Sequence, residues 1–276
     1  MTALDPASWL GRTETCLDAI DMGHVEKIAL SLDADCPTPG EALPLLWHWG
    51  LFVKASPYDQ LGDDGHPKRG GFLPSADNRN RMWAGGRVQF IQPLRVGVAA
   101  NRLSTVAAVN EKEGRSGKLL FVTIRHEYVQ GGERCILEEQ DVVYREPSAP
   151  LLVGNQPAPA AQWSESVRPT STMLFRYSAV TFNGHRIHYD EPYATQVEGY
   201  PGLVVHGPLI ATLMCGAFCR ANPDKVVTSL AYRGLRPLIA PRDFQVAGTY
   251  SNDETAQLWA EQDGTLAHRA ELRFNA

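Results

Sequence analysis

The 276-residue sequence lacks features that mark several large classes of protein. It has no run of about 18 apolar residues, so we expect no membrane-spanning helix. Its five cysteines are odd in number and include no CxxC pair, which favours reduced, unbridged thiols. The net charge of -5 argues against a broad nucleic-acid surface. Nucleic acid and membrane are therefore not expected as partners.

A secretory signal is also not found in the sequence. Residues 1–35 show no basic start followed by an apolar segment, so we expect a cytoplasmic protein. Hydrophobic residues make up 43% of the chain, which is enough for a sizeable core. The length suits two domains of roughly 100–150 residues each, or one larger domain.

The chain is organised as two similar halves, each with a helical region followed by strand-like runs. The first half predicts a buried helix at ALPLLWHWGLFVKA (residues 42–55), a Gly-rich loop, and strands within residues 86–146. The second half predicts a helix around TLMCGAFCRAN and strands from residue 227 onwards. Cys215 and Cys219 lie four apart in that helix and are expected to be small core residues. Trp47, Trp49 and Trp83 are also expected in the core.

Two Pro-Leu pairs align the halves, one at Pro93 in RVQFIQPLRVG and one at Pro237 in LAYRGLRPLIAP. Because the order of elements around them agrees, we infer an internal duplication. A polar, Pro-rich interval, residues 146–171, connects the halves, and we predict domains at 1–147 and 148–276. An apolar helix and a curved antiparallel sheet both need to bury one face. The predicted fold is therefore α+β, a double hotdog in which two curved antiparallel sheets each wrap a central helix.

Polar side chains are concentrated between Phe175 and the Gly-Pro helix start at Gly207. Histidines, an amide and a carboxylate before a helix start suggest a proton-transfer site that faces backbone amides, and hence an enzyme. The polar residues of this segment are Asn183, His185, Arg186, His188, Asp190 and His206.

Several strings in the sequence resemble a known family. VVHGPLIATLM, AYRGLRPLIAP and NGHRIHYDEPYA resemble the MaoC-like enoyl-CoA hydratases. LLWHWGLF, LGDDGHPKRGGFLP, RMWAGGRVQFIQPL and GRSGKLLFVTIRHEY resemble the N-terminal domain of the mesaconyl-C4-CoA and itaconyl-CoA hydratase branch, which is related to the mitochondrial-type 3-hydroxyacyl-thioester dehydratases. The resemblance covers most of the chain.

This resemblance implies a hydro-lyase that acts on a short branched C5 dicarboxylic CoA thioester. Itaconyl-CoA or mesaconyl-C4-CoA would be the substrate and citramalyl-CoA the product, as in itaconate degradation. The C-terminal half would be catalytic and the N-terminal half noncatalytic. No metal or redox cofactor is implied, since CoA is part of the substrate.

One departure from the wider family concerns the residues before the catalytic histidine. That family has an Asp five residues before it and an Asn three before it, whereas this sequence has Asn183 and His185 before His188. An Asp can exchange a proton, while an Asn can only orient and hydrogen-bond. The mesaconyl-C4-CoA and itaconyl-CoA branch resembles this sequence in that substitution.

Three groups are expected to carry the hydration. His188 can take a proton from water and return it to carbon. Asn183 would hold the water. The backbone N–H of Gly207 would stabilise charge on the thioester oxygen, and Pro208 suits the first helical turn because it needs no N–H there.

Further side chains are candidates for substrate binding or support. Arg186 can bind a free carboxylate, a CoA phosphate or a structural acid. Arg233 and Arg236, with Arg242, form a basic cluster for CoA phosphates or a solvated face. His185 and His206 would contact substrate or fix their loops, and Asp190 would cap or turn the chain. In the loop Gly62 to Leu73, glycines let the backbone approach a ligand, and the loop is predicted to shape the pocket at the domain junction with Asp64, His66 and Arg69.

Alternatives remain at this point. His188, Asp190 and His206 formally match a two-His-one-carboxylate metal site. Asn183 in place of an acid would also fit a noncatalytic acyl-CoA-binding protein, and a 3-hydroxyacyl-thioester dehydratase of fatty-acid synthesis is the other enzyme considered. The two halves can pair within one chain, so both a monomer and a homodimer are open.

Overall fold

The computed structural model describes residues 6–75, 79–114, 117–146 and 149–275. Ten strands form one antiparallel sheet, and four α-helices lie outside it. The helices are α1 (Met22–Leu32), α2 (Ser171–Val180), α3 (Glu191–Gln196) and α4 (Gly207–Ala221). The strands are β1 (Thr13–Asp18), β2 (Asn80–Phe90), β3 (Ala100–Gly114), β4 (Gly117–Gln130), β5 (Glu133–Arg145), β6 (Trp163–Val167), β7 (Val226–Gly234), β8 (Phe244–Asn252), β9 (Thr255–Gln262) and β10 (Thr265–Asn275).

The strand order is mirrored about the centre of the sheet. It reads β1-β3-β4-β5-β2-β7-β10-β9-β8-β6, so each first-half strand has a counterpart at the same distance from the central β2–β7 pair. In that pair Arg87 faces Ala231, which are separated in sequence by the same interval as Pro93 and Pro237. This register is the one that a two-fold relation between the halves requires. The boundary between 147 and 148 lies outside the described residues and stays a prediction.

The predicted α+β class is confirmed, but the two predicted sheets are one. The reason is the backbone pairing of β2 with β7, which joins the halves edge to edge. Gly86 makes this close approach feasible, because a Cβ there would lie 2.9 Å from Cζ of Tyr232. The exposed edge that each half would otherwise present is therefore covered by the other half.

The predicted helix of the second half is present as α4 and packs on β6, β8, β9 and β10. Pro208 stands in its first turn, where a missing N–H costs nothing. Cys215 is buried and Cys219 half-buried against the core, as predicted for small core residues.

The predicted helix over residues 42–55 is wrong. This segment forms one 3-10 turn, Trp47–Gly50, and Leu46 and Phe52 have positive φ angles of 69° and 55° that interrupt a right-handed helix. Five of its apolar side chains are still buried, those of Leu43, Leu46, Trp47, Leu51 and Phe52, while the His48 and Trp49 side chains bind Glu138 of β5. Residues 42–55 are therefore held on the sheet by side-chain hydrogen bonds to Glu138 and not by the backbone hydrogen bonds of an α-helix.

One continuous core runs through both halves, from Val25 of α1 to Phe274 of β10. Trp47 is buried in it, and Trp49 and Trp83 pack against it half-buried, as predicted. Among the described residues, no helix is both long and apolar enough to cross a membrane.

Candidate active site

The segment between α2 and α3 is folded by its own polar side chains. Asn183 Oδ1 accepts the N–H of His185 at 3.0 Å, which turns the chain after α2. Arg186–His188 then form a 3-10 turn. Asp190 Oδ1 accepts the N–H of Tyr193 at 3.1 Å and so caps α3, which confirms the predicted capping role of Asp190.

His188 is held as a neutral base. Its side chain is buried, and Nδ1 lies 2.7 Å from the carbonyl oxygen of Val204. Because a carbonyl can only accept, Nδ1 carries the proton and donates it, and Nε2 keeps its lone pair. Burial lowers the pKa of His188 to about 4, against the opposing effect of the bond to Val204. At neutral pH His188 can therefore accept a proton at Nε2.

His206 stacks on His188 and is fully buried. The two rings stack with centroids 3.7 Å apart, and His206 is 0% exposed. Its Nε2 lies 2.8 Å from Ser178 Oγ, and burial holds the pKa of His206 well below its usual range. Burial and stacking support the predicted role of His206 in fixing its loop and the position of His188, and its contact with substrate stays a prediction.

The N-terminus of α4 presents backbone N–H groups next to these histidines, since His206 immediately precedes Gly207. The first N–H groups of a helix have no intrahelical acceptor, and the helix dipole makes this end positive. Gly207 packs so closely on Trp83 that a Cβ would lie 2.7 Å from Cε3 of the indole ring. A first-half side chain thus fixes where the predicted anion-stabilising group lies.

The predicted Gly-rich loop of the first half reaches the second half here. The carbonyl oxygen of Asp64 accepts the N–H of Arg186 at 3.0 Å. Gly65, at a φ of 84°, lies so close to the Gly184 carbonyl that no Cβ would fit. This backbone contact explains why glycine is needed in both segments, at Gly65 and at Gly184.

A row of rings leads from this loop to His188. Asp64 Oδ2 lies 3.1 Å from His66 Nδ1, the His66 and His185 rings are 4.2 Å apart, and His185 meets His188 edge-on at 5.4 Å. Burial opposes ionisation of Asp64, but hydrogen bonds and charge from His66 lower its pKa. Burial, with His66 and His188, lowers the pKa of His185 to about 2. The row therefore ends in an ionised Asp64 carboxylate that is bound to His66, while burial holds His185 neutral.

Asp64, His66 and His185 also form a group whose ligand atoms all lie within 4.8 Å of one another, a spacing that could hold a metal ion. It differs from the trio considered from the sequence. In that trio Asp190 is occupied, because its carboxylate binds the Arg186 guanidinium and the α3 backbone. The hydrogen bond between Asp64 and His66 already accounts for their approach.

A cavity of about 550 Å³ opens at this junction of the halves. His185, Ile187 and Asp64 form part of its wall. Four cationic side chains also line it, and only one was among the predicted binding residues: Lys68, Arg69, Arg81 and Arg145. The cavity is large enough for a small ligand group and is rich in positive charge.

Arg186 binds a structural acid, one of its three predicted alternatives. Its Nε and Nη2 donate to Asp190 Oδ2 at 2.9 and 2.8 Å, and Nη1 donates to the carbonyl oxygen of Asp63 at 2.9 Å. The guanidinium also lies 4.0 Å from the ring centroid of Tyr193. Arg186 therefore braces the loop, and a substrate carboxylate would have to displace Asp190.

Arg236 is corrected from a substrate contact to a structural residue. It is buried, and its guanidinium donates to the backbone carbonyls of Gln262, Thr265 and Leu266, which fixes the turn between β9 and β10. Arg242 pairs with Asp263 at 2.9 Å on the surface. Arg233 is exposed on β7, and its proposed contact with CoA stays a prediction.

Sequence reasoning missed a buried acid, Glu138. It is 0% exposed and accepts from Trp49 Nε1 at 2.8 Å, Tyr128 OH at 3.1 Å and Gln140 Nε2 at 2.8 Å, with His48 Nε2 at 3.2 Å. Burial opposes ionisation, but these partners lower the pKa of Glu138 to about 2. The available signal was an acid at an inward position of the strand ERCILEEQ.

A mirrored ten-stranded sheet with a neutral histidine base beside a helix N-terminus defines the hydro-lyase class of the double-hotdog fold. Residues 46–240 match the hydroxyacyl-thioester dehydratase type 2 family, and the chain belongs to this family. It is 41% identical to mesaconyl-C(4)-CoA hydratase of Chloroflexus aurantiacus over 99% of each chain. It is 27% identical to the mitochondrial hydroxyacyl-thioester dehydratase type 2 of Schizosaccharomyces pombe, over 89% of this chain and 88% of that one.

A solved structure shows the same fold. HtdX of Mycobacterium tuberculosis superposes with a TM-score of 0.69 at 20% identity, covering 95% of this chain and 99% of that one. The predicted double hotdog and the predicted hydro-lyase class are confirmed by these comparisons.

Proposed function

We propose that the protein hydrates a short branched enoyl-CoA thioester, with mesaconyl-C4-CoA or itaconyl-CoA as substrate and citramalyl-CoA as product. The observation that carries the proposal is His188, whose Nδ1 is fixed on Val204 and whose Nε2 is left as a base. The identity to a mesaconyl-C(4)-CoA hydratase supports the acyl group.

In the proposed reaction, His188 Nε2 takes a proton from water while the water oxygen bonds to the β-carbon. The π electrons move to the thioester oxygen as the double bond to the β-carbon is lost. The same imidazolium then returns the proton to the α-carbon, so that one water is added and the base is regenerated. With itaconyl-CoA, a proton shift to the conjugated mesaconyl isomer would come first or accompany hydration.

The charge that develops on the thioester oxygen needs donors in place before the reaction. We assign this task to the N–H of Gly207 at the positive end of α4. Such a donor is worth about 3 kcal/mol of transition-state stabilisation.

Asn183 is assigned to the water. Its Oδ1 already accepts the His185 N–H, so the NH₂ group is the part that remains to orient a water molecule. His185, His66, Asp64 and Arg69 line or border the acyl pocket in this proposal, and Arg233 is assigned to CoA. No metal or redox cofactor enters the chemistry, and a homodimer and a cytoplasmic location stay predictions.

Loss of enoyl-thioester absorbance on hydration tests the proposal. His188→Ala should lower turnover by about 100-fold or more, the low end of general acid–base contributions. His126→Ala is a matched control: His126 is also buried, also has a pKa lowered by burial to about 4, and bonds to Ser104 in the first half. The control should keep near-normal turnover below its melting temperature. Near-normal turnover of His188→Ala would contradict the role of His188.

A 3-hydroxyacyl-thioester dehydratase is the second candidate, supported by the Schizosaccharomyces pombe relative. It would prefer straight-chain acyl groups without a second carboxylate. Turnover of crotonyl-CoA in preference to the C5 thioesters would favour this candidate. No turnover of any enoyl-CoA, with acyl-CoA still bound, would instead indicate a noncatalytic binding protein.

A further inference from the structure

Arg81, at the start of β2, lies at the end of the cavity where the two halves meet. It is partly buried and lies close enough to His66 and His185 for its charge to lower the pKa of each. His185 in turn contacts His188 edge-on. Arg81 is therefore a positive charge in the cavity wall, close to His185, which contacts the proposed base.

No carboxylate of the described residues lies within ion-pairing distance of Arg81. Asp64 is the nearest acid to act on it, and the Asp64 carboxylate is already bound by His66. A partly buried guanidinium whose neighbours are the Tyr144 hydroxyl and an already engaged carboxylate is poorly compensated, because it has lost water and gained no counterion. An anionic ligand group in the cavity would supply that partner.

The surroundings of Arg81 add polar groups for such an anion. In the β2–β5 pairing Arg81 faces Tyr144, whose side chain is buried. The Tyr144 hydroxyl has no partner at hydrogen-bonding geometry in the described part of the chain. The Arg69 guanidinium lies 5.8 Å from the centroid of the same ring and also lines the cavity, so a second cation lies near Arg81.

We propose that Arg81 binds the free carboxylate of the acyl group and so selects dicarboxylic half-thioesters over simple enoyl-CoAs. This assignment rests on the proposed function. In mesaconyl-C4-CoA the free carboxylate is attached to the β-carbon, the atom that receives hydroxide. Holding that carboxylate at Arg81, next to His185, brings the β-carbon towards His188. Arg186, for which a free carboxylate was one of three partners considered from the sequence, is occupied by Asp190.

The planar guanidinium suits a carboxylate because two parallel N–H groups can bind its two oxygens. A CoA phosphate is the other anion that the cavity must accommodate. Lys68 and Arg145 are the cations assigned to it, because Arg145 neighbours Tyr200 rather than the histidines.

The test compares mesaconyl-C4-CoA with its methyl ester, which adds one methyl group and has no charge on the acyl group. For the wild type we expect kcat/KM for the acid to exceed that for the ester by about 100-fold or more. In Arg81→Gln the acid should lose about 100-fold and the ester less than about threefold. Arg81→Lys should lose part of the preference, because it keeps the charge without the planar fork. Arg87→Gln, also on β2 but exposed and paired with Glu139 and Asp141, is the control and should match the wild type.

Inhibition separates the two anions. Free mesaconate should inhibit Arg81→Gln less than the wild type, while inhibition by CoA should not change. Weaker inhibition by CoA, with mesaconate unaffected, would overturn the proposal in favour of a phosphate contact. Equal wild-type turnover of acid and ester would also overturn it, even if Arg81→Gln does not fold. A wild type that hydrates neither thioester would instead contradict the proposed function.

Discussion

Replacing Gly207 with alanine is a sharp test of the link between the two halves at the site. A Cβ at this position would lie 2.7 and 2.9 Å from Cε3 and Cζ3 of Trp83. Carbon atoms pack at roughly 3.5–4.0 Å, so the indole ring or the start of α4 must move by at least about 0.8 Å. The far side of the ring is held by Tyr232, stacked at 4.6 Å, and by Trp49 at 5.7 Å. We therefore expect α4 to move.

A displaced donor at the helix start lowers catalysis, since a shift of about 1 Å can cost about 100-fold. We expect kcat of Gly207→Ala to fall by about 100-fold and the free energy of unfolding by about 1–3 kcal/mol from overpacking. Enoyl-thioester absorbance gives kcat, and thermal unfolding followed by circular dichroism gives the stability.

Gly216→Ala in the same helix is the matched control. Its nearest neighbour would be the flexible end of Arg220 at 3.1 Å, so the helix should keep its position and gain up to about 1 kcal/mol of helix propensity. Adding Trp83→Leu to Gly207→Ala should restore kcat by about tenfold or more if packing is the cause. Wild-type kcat in Gly207→Ala would refute the reasoning.

Four further predictions concern pH and buried charges. As the pH is lowered, kcat/KM should fall near pH 4, the pKa to which burial lowers His188, rather than near the ordinary histidine value of about 6.5. A fall near pH 6.5 would show that His188 is not the buried base. Burial lowers the pKa of His188, His126 and His268 to about 4 in the folded protein, so the unfolded chain binds more protons than the folded one below about pH 6.5. The free energy of unfolding should therefore fall as the pH is lowered from about 6.5 to 4. Urea titrations at several pH values measure this loss. Glu138→Gln leaves donors without a charged acceptor and should lower the free energy of unfolding by about 3–5 kcal/mol, while a loss under 1 kcal/mol would show that the network is not needed. Arg236→Ala should lower the free energy of unfolding by about 1–3 kcal/mol and leave KM unchanged. A large rise in KM would indicate that Arg236 binds substrate.

Most of the helices and strands of the second half could be predicted from the sequence, because their patterns depend on residues that are close in sequence. Period-two runs in the second half predicted β7 to β10, and the apolar run after Gly207 predicted α4. The same apolar signal misled at residues 42–55, where length and hydrophobicity resembled a buried helix. Glu138, distant in sequence, binds His48 and Trp49 there and favours an irregular chain.

Some residues of the candidate site could be predicted from the sequence and others could not. The segment around Asn183, His185 and His188 was predicted because its residues are adjacent in sequence. Arg81 and the stacking of Trp83 on Gly207 were not, since they depend on how one half packs on the other. Arg186 and Arg236 show the converse, because a cation near a site in sequence can be fully engaged by structural acceptors.

A kinetic comparison of mesaconyl-C4-CoA, itaconyl-CoA and crotonyl-CoA tests the proposed function most directly. We predict that the wild type hydrates one of the C5 dicarboxylic thioesters with a kcat/KM about 100-fold or more above that for crotonyl-CoA, with citramalyl-CoA as the product. A preference for crotonyl-CoA, or no hydration of either C5 thioester, would contradict the account.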